Sequence, residues 1–255
     1  MNNYSAQTHK KMKQLLILPV LIMIIFSACK KNSYYEDTGI NDPRFNGTIM
    51  DYIKSDTLYF DTLVRVVKYA GLEESLSKDP LTFFAPPDPC FKKILDAVSE
   101  YQLRVGADSV TRFEQIKPEV WKQFLQMYLF PGNRGLKDYT QVDTLALDTY
   151  KGALFESVSN APMNIGVIFN DAISGNPNSA GGSTVLKYQG YRQLMLSYVP
   201  DQARPYSFWI NAVVSASDVA PTNGRVHRLR YMTHTFGFDP FSFIQAAREK
   251  GIDYN

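Results

Sequence analysis

The sequence predicts one domain of the α+β class. Apolar residues recur at helical spacing over much of residues 48 to 128, whereas between residues 153 and 199 they alternate as in strands. The chain has 255 residues, of which 45% are hydrophobic and 13% aromatic, enough for one sizeable core. We therefore expect a single α+β domain behind an N-terminal leader.

The leader is an apolar run from Leu15 to Ala28 that follows three lysines. The run is 14 residues long, whereas a helix needs roughly 20 apolar residues to span a bilayer. A basic entry, a short apolar core and small residues before Cys29 are typical of a signal peptide. We expect residues 1–28 to be removed and the mature chain to begin at Cys29.

The end of this leader, Phe26-Ser27-Ala28-Cys29, resembles the lipobox of bacterial lipoproteins. The resemblance implies that the Cys29 sulfur takes a diacylglycerol and that its new amino group is acylated after cleavage. Several acyl chains anchor a protein stably in a membrane, since one chain alone binds only reversibly. Lys30 agrees with sorting to the outer membrane, on its outer or its periplasmic face. The alternative is an ordinary cleaved signal in which Cys29 stands by chance.

Composition limits the partners of the mature chain. Residues 1–28 carry three lysines and no acids, so 24 basic residues remain against 25 acidic ones. This balance gives no broad basic field, and we expect no nucleic-acid partner. With Cys29 lipidated only Cys90 is left, and no internal disulfide can form. We expect Cys90 to be a small buried filler rather than a reactive thiol.

Two helices are expected after a polar tether over residues 29–45. Thr48 and Asp51 stand at capping-box spacing and predict the start of the first helix. Apolar residues at helical spacing from Leu58 to Ala70 predict the second, and Gly71 ends it.

A strand and a third helix follow. Leu81–Ala85 is a short apolar run typical of a buried strand, and Pro86-Pro87 ends it by removing two backbone donors. Asp88 then stands at the N-cap of a helix and Pro89 at its first position. Replacing Asp88 by Ala is expected to cost about 1 kcal/mol through the lost cap.

Two motifs resemble the signatures of fasciclin-like domains. The opening motif matches the family pattern at Thr82, Phe84, Ala85, Pro86, Asp88 and Phe91, and the closing motif matches it at Asp218, Asn223, Gly224 and His227. The resemblance covers residues 46–232. It implies helices packed on a β-sandwich or wedge of about seven strands, a binding or adhesion function, and no cofactor.

The match is looser between these motifs. A helix is expected over Lys117–Tyr128, with Pro118 at its start. The family usually carries a histidine after this tyrosine, linked to adhesive contacts, where this chain has Leu129. The resemblance therefore leaves open whether adhesion through this position is inherited.

Strands are expected at residues 153–158, 165–170 and 192–199. The polar, turn-rich loop from Asp171 to Gly190 between the last two is either functional or disordered. Residues 233–255 extend past the family boundary.

A C-terminal helix is expected in that extension. Asp239 stands at its cap, Pro240 at its first position, and Gly251 at its end. Two roles are open for it: it covers a sheet edge, or it contacts a partner.

Aromatic residues beside the loop are the candidate ligand contacts. Tyr188, Tyr191 and Trp209 are the candidates, in a predicted cluster with Tyr198, Tyr206 and Phe208. Exposed rings stack on sugar faces or dock protein partners, and packing in the core is the alternative.

Catalysis and metal binding are not expected. Asp218, Ser217 and His227 can be drawn as a triad, but the chain lacks a Gly-x-Ser-x-Gly motif. We expect His227 to pack near a strand end with its ring satisfied by backbone groups. His227, His234 and Asp239 lack the short paired spacing of metal ligands.

These observations favour an outer-membrane lipoprotein whose domain binds a polysaccharide or a protein in the cell envelope or in glycan-uptake machinery. The alternative is an envelope enzyme acting on a glycan or ester, which needs His227 within about 3 Å of a carboxylate and a hydroxyl. A third possibility is a scaffold that contacts neighbouring envelope proteins through the C-terminal helix.

Overall fold

A computed structural model describes residues 42–175 and 182–254. The predicted leader, Cys29, all but the last residues of the tether, and the centre of the 171–190 loop lie outside the described residues. Pro43 begins the unit that holds the whole described core.

The helices and strands predicted from the sequence are present, together with further elements that it did not indicate. The helices are α1 (Ile49–Ser55), α2 (Thr57–Tyr69), α3 (Glu73–Lys78), α4 (Asp88–Arg104), α5 (Pro118–Leu125) and α6 (Pro240–Lys250). The strands are β1 (Leu81–Ala85), β2 (Leu129–Pro131), β3 (Gln141–Val142), β4 (Ala153–Glu156), β5 (Pro162–Phe169), β6 (Ala172–Gly175), β7 (Ser183–Leu186), β8 (Arg192–Tyr198), β9 (Ile210–Val219) and β10 (Gly224–Leu229). Short 3₁₀ turns lie at residues 113–115, 126–128 and 136–138.

One mixed sheet organises the domain. Its strands lie in the order β2-β1-β10-β9-β8-β5-β3, and β4 also pairs with β5. β1 runs parallel to β10 and β3 parallel to β5, whereas the other neighbours are antiparallel. The expected α+β architecture of helices on a wedge of about seven strands is confirmed.

The 171–190 region differs from the expected irregular loop. β6 and β7 form a separate antiparallel hairpin in which Ile173 pairs with Val185. Each strand is only four residues long, and glycine and serine are frequent around them. The alternation of apolar and polar residues was therefore too short to indicate strands.

The core lies between the helices and the sheet and is rich in aromatic rings. Trp121 of α5 contacts the rings of Phe91, Phe236 and Phe243, with centroids 5.0 to 6.2 Å apart. Phe243 belongs to α6 and is fully buried. The C-terminal helix therefore packs on α4 and α5 as part of the core, rather than covering a sheet edge.

Most of the predicted caps are present. Thr48 and Asp51 form the reciprocal capping box of α1. Asp239 accepts hydrogen bonds from two backbone N–H groups at the start of α6, and Gly251 follows its end with a φ of 101°. Local sequence alone was sufficient for these ends because the cap and its partner lie within three residues.

The predicted role of Asp88 was wrong. Asp88 makes no cap hydrogen bond to α4. Helix α2 is kinked at Phe60, and the Asp88 carboxylate accepts the backbone N–H of Leu63 at 3.0 Å, just past the kink. Asp88 therefore caps the second half of α2, a helix that precedes it in the chain.

Candidate functional site

Thr82 fastens a surface loop to the buried strand β1. Its hydroxyl donates to the carbonyl of Gly132 at 2.8 Å and accepts the backbone N–H of Arg134 at 2.9 Å. Thr82 is fully buried, so both bonds are shielded from water. The loop over residues 132–138 is consequently held against the strands that carry the two signature motifs.

Asn223 joins three elements at the start of β10. Its side-chain oxygen accepts the N–H of Ile49 at 2.8 Å, and its amide donates to the carbonyls of Leu76 and Asp79 at 3.1 and 3.0 Å. Gly224 follows, and a Cβ built on it meets the carbonyl oxygen of Leu81 at 1.9 Å. Only glycine allows β10 to approach β1 this closely.

His227 is buried and its ring nitrogens bind backbone groups. Nδ1 accepts the N–H of Asp218 at 3.2 Å, and Nε2 lies 3.0 Å from the carbonyl oxygen of Arg134. Burial lowers the pKa of His227 to about 4, so the ring is neutral at pH 7. The expectation of a backbone-satisfied histidine is confirmed, and neither nitrogen is left to activate Ser217 in the drawn triad.

The remaining signature residues pack in the interior. Phe84 contacts the His227 ring at 4.9 Å, and Phe91 stacks on Phe236 at 4.6 Å. Pro86 is buried as it leads from β1 towards Asp88. The structure thus brings Thr82, Phe84 and His227 together, and these residues hold the fold rather than line a pocket.

A second buried network was missed by the sequence analysis. The Tyr128 hydroxyl and Nε2 of His234 share a hydrogen bond of 2.8 Å, and the same hydroxyl accepts the N–H of Gly237 at 2.7 Å. Burial raises the pKa of Tyr128 and lowers that of His234 to about 3. Tyr128 and His234 lie 106 residues apart in the sequence, so no local pattern indicates the pairing.

The aromatic candidates do not form the single cluster that was predicted. Tyr188 and Tyr191 precede β8, whereas Trp209 lies beyond its other end, where Tyr198 pairs with Ile210. A strand of this length spans about 20 Å, which separates the two groups. The strand predicted over residues 192–199 is present as β8, and its length is inconsistent with the predicted cluster.

Tyr188 and Tyr191 differ in their surroundings. The Tyr188 hydroxyl donates to Asp143 at 2.9 Å, and its ring contacts Tyr150 edge-on at 5.5 Å. Tyr191 is 59% exposed. Tyr188 is therefore held in place by its neighbours, and Tyr191 is the accessible ring at this end of β8.

The second group is a loop over residues 200–209, which we call the aromatic loop. It presents Phe208, which is 61% exposed, together with Tyr206 and the half-buried Trp209. Tyr206 contacts the Trp209 ring edge-on at 6.1 Å, and the Lys151 ammonium lies 5.5 Å from the Tyr206 ring. Tyr206, Trp209 and the Lys151 ammonium therefore lie together, and the exposed Phe208 ring belongs to the same loop.

Hydrogen bonds within the aromatic loop fix its shape. Asp201 accepts the N–H groups of Ala203 and Arg204 and pairs with the Arg204 guanidinium at 2.9 Å. The indole of Trp209 donates to the carbonyl of Pro205 at 2.6 Å. A loop that is ordered by its own contacts loses less conformational entropy on binding.

The tether enters the domain at the opposite end of β9. Phe45 donates its N–H to the carbonyl of Ala220 at 2.9 Å, and the N–H of Ala220 binds the carbonyl of Pro43 at 2.7 Å. Ala220 follows the last residue of β9, and Trp209 precedes the first. A strand of 10 residues is about 30 Å long. The tether and the aromatic loop are therefore separated by the length of this strand.

A family comparison agrees with this architecture. The family model described as Fasciclin domain matches residues 58–180. Residues 58–180 are therefore similar in sequence to a fasciclin domain. The match includes the opening motif and ends before the closing one, whereas strands β8, β9 and β10 of the later part complete the same sheet.

One solved structure with a fasciclin domain is similar to this chain. It is a FAS1 domain pair from the insect cell adhesion molecule fasciclin I, with 14% identity and a TM-score of 0.33. The alignment covers 75% of this chain and 46% of that one, so the chain spans about half of it. A comparison with curated proteins gave no significant match.

A cleft of about 890 Å³ opens on the helical side of the domain. Its wall carries Arg65, Arg112, Glu114 and Asp253 among its polar residues. Arg65 binds Glu114 at 3.0 Å, and Lys117 binds Asp253 at 2.6 Å. Both carboxylates are therefore neutralised by cations.

Among residues 42–175 and 182–254, no three His, Cys, Asp or Glu side chains are grouped as metal ligands. Within the same ranges, no helix is both long and apolar enough to cross a bilayer.

Proposed function

We propose that this chain is an outer-membrane lipoprotein, anchored through acylated Cys29, whose fasciclin domain binds a polysaccharide of the cell envelope or of glycan-uptake machinery. The position of the aromatic loop carries the proposal. The tether enters beside Ala220, and the aromatic loop lies beyond the other end of β9. In a chain anchored at its N-terminus these rings therefore lie about 30 Å along the domain from the point where the tether enters, which leaves them clear of the attachment point.

The chemistry of the aromatic loop favours a sugar polymer. Tyr206, Phe208 and Trp209 offer flat apolar surfaces of the kind that stack on the C–H faces of sugar rings. Lys151 and Arg204 supply hydrogen-bond donors beside them. Binding rather than catalysis is proposed because the best candidate base, His227, has both nitrogens bound to backbone groups.

A glycan array probed with the mature chain tests the ligand class. The unchanged chain is expected to bind at least one envelope polysaccharide, and Phe208→Ala or Trp209→Ala to weaken that binding about tenfold or more. Phe241→Ala is the matched control, because Phe241 on α6 has the same 61% exposure as Phe208. Equal losses in both phenylalanine variants contradict a specific role for the aromatic loop.

The array also separates the two groups of candidate contacts. Tyr191→Ala, at the far end of β8, is expected to leave binding unchanged if the aromatic loop acts alone. An array with no bound glycan contradicts the polysaccharide and makes an envelope protein the partner to be sought.

The anchor is tested separately by mass spectrometry of the chain from cell envelopes. The expected N-terminal residue is Cys29 with acyl groups on both sulfur and nitrogen. Cys29→Ser is expected to release the chain from the outer-membrane fraction while its glycan binding stays unchanged. An unmodified Cys29 in the native chain contradicts the lipid anchor.

A further inference from the structure

The hairpin of β6 and β7, which we call the arm, extends beyond the main sheet. In the described residues each of its strands pairs only with the other, so both outer edges are open. Ile173 and Val185 face each other on one side and are 71% and 55% exposed. A hairpin of two strands is only marginally stable by itself, so the arm gains stability if a further strand covers an edge.

The base of the arm is firmly attached to the domain. Asp171 accepts the N–H of Tyr188 at 2.9 Å and binds the Lys187 ammonium at 3.0 Å. Arg192 donates to the carbonyls of Tyr188 and Gly190, and its guanidinium lies 3.7 Å from the centre of the Phe169 ring. These contacts fix the direction in which the arm leaves the domain.

The arm lacks the charges that usually protect an open strand edge. Residues 172–186 contain no Asp, Glu, Lys or Arg, and the flanking Asp171 and Lys187 neutralise each other. Proteins normally place lysine or another charge on such an edge to prevent pairing with further strands. Two copies of this arm can therefore approach each other without repulsion between like charges.

We propose that the arm is a self-association site, in which β7 of one chain pairs antiparallel with β7 of a second copy. β7 is the better edge because Thr184 and Val185 are β-branched, whereas β6 contains Ala172 and Gly175. A two-fold axis beside Val185 places this residue opposite Val185 of the second copy. The two arms then form a four-stranded sheet with a continuous apolar row of Ile173 and Val185 from each chain.

Sedimentation of the mature chain carrying Cys29→Ser tests the association. This change removes the acyl chains and leaves every described residue intact. The protein is expected to dimerise as its concentration rises, and Val185→Lys to abolish the dimer by placing two ammonium groups opposite each other. Leu58→Lys, at a site on α2 that is 83% exposed, is the matched control and is expected to dimerise normally.

Cysteine cross-linking tests the register. Val185→Cys is expected to form an intermolecular disulfide, because residues directly opposite in antiparallel strands have Cα atoms about 5 Å apart. Ile173→Cys on the same face is expected to fail, since three strand spacings put its two copies about 14 Å apart. Cys90 does not interfere, because burial raises the pKa of its thiol to about 12.

Two outcomes overturn the proposal. A chain that remains monomeric at every concentration excludes self-association and leaves a strand of another protein as the occupant. Cross-linking of Ile173→Cys as fast as that of Val185→Cys excludes the β7 pairing. Far-ultraviolet circular dichroism checks each variant for folding, which we expect to be unchanged because the arm lies outside the core. The proposal stands independently of the glycan proposal, which the array tests at the other end of β8.

Discussion

The region of the signature motifs and the aromatic loop differ in the location of their hydrogen-bond partners. Around Thr82 and His227, side chains bind backbone groups of distant elements and are fully buried. In the aromatic loop the hydrogen bonds stay within residues 201–209, and the rings of Tyr206 and Phe208 remain exposed. The most recognisable motifs of this chain therefore hold the fold, and the accessible surface lies where the sequence carries no motif.

The largest expected effect is that of a methyl group at the closing motif. Gly224→Ala places a Cβ against the carbonyl oxygen of Leu81 and must separate β10 from β1. We expect a loss of about 4 kcal/mol in the free energy of unfolding, or no folded protein. Gly71→Ala is the control, because no atom lies within 4 Å of its Cβ and only its φ of 68° is strained. Urea denaturation that finds the two losses equal contradicts the close approach.

The second largest effect is expected from acid, which lowers the stability of the fold through its two buried histidines. His227 and His234 have pKa values of about 4 and about 3, below the usual 6.5, so below pH 6.5 protons bind the unfolded chain preferentially. Stability is therefore complete above about pH 6.5 and falls as the pH drops towards 4. The loss from His227 alone is about 3 kcal/mol. Urea denaturation at several pH values measures it, and a folded-state NMR titration of either histidine near pH 6.5 contradicts it.

Removing the cap on α2 has a smaller effect. Asp88→Ala is expected to cost about 1 to 2 kcal/mol, because the N–H of Leu63 loses its acceptor. Amide hydrogen exchange identifies the helix concerned. Leu63 is expected to exchange faster, whereas amides in the first turn of α4 keep their rates. Asp88→Asn is the control that retains an acceptor oxygen, and faster exchange in α4 alone contradicts the assignment.

The smallest effect on stability is expected in the aromatic loop. Phe208→Ala removes an exposed ring, so the free energy of unfolding is expected to change by no more than about 0.5 kcal/mol. Thermal denaturation measures the change. A loss of several kcal/mol assigns Phe208 to packing and withdraws it from the proposed ligand surface.

Local features were predictable because both partners lie close together in the sequence. The Thr48–Asp51 capping box and the Asp239 cap each span three residues. Asp88 was recognised as a capping residue, but its partner Leu63 precedes it by 25 positions and belongs to another helix. Proline is preferred in the first turn of a helix, so Pro89 indicates where α4 begins. It gives no information about which backbone N–H groups bind the Asp88 carboxylate.

Contacts across the sheet were not predictable from the pattern of residues. The aromatic candidates lie close together in the sequence, yet β8 carries Tyr191 and Trp209 to opposite ends. The arm was not recognised because its two short strands contain glycine and serine and show little apolar alternation. The Tyr128–His234 bond depends on the path of the whole chain between them.

The placement of β9 has a mechanical consequence. This strand lies inside the sheet, with β10 on one side and β8 on the other, and its two ends adjoin the tether and the aromatic loop. If the tether and the aromatic loop are pulled apart, the force runs parallel to β9 and tends to slide this strand along β8 and β10. The hydrogen bonds between the strands lie perpendicular to that force, so all of them are loaded at once in shear and do not break one after another. The sheet is therefore expected to resist force best along the line between the tether and the aromatic loop.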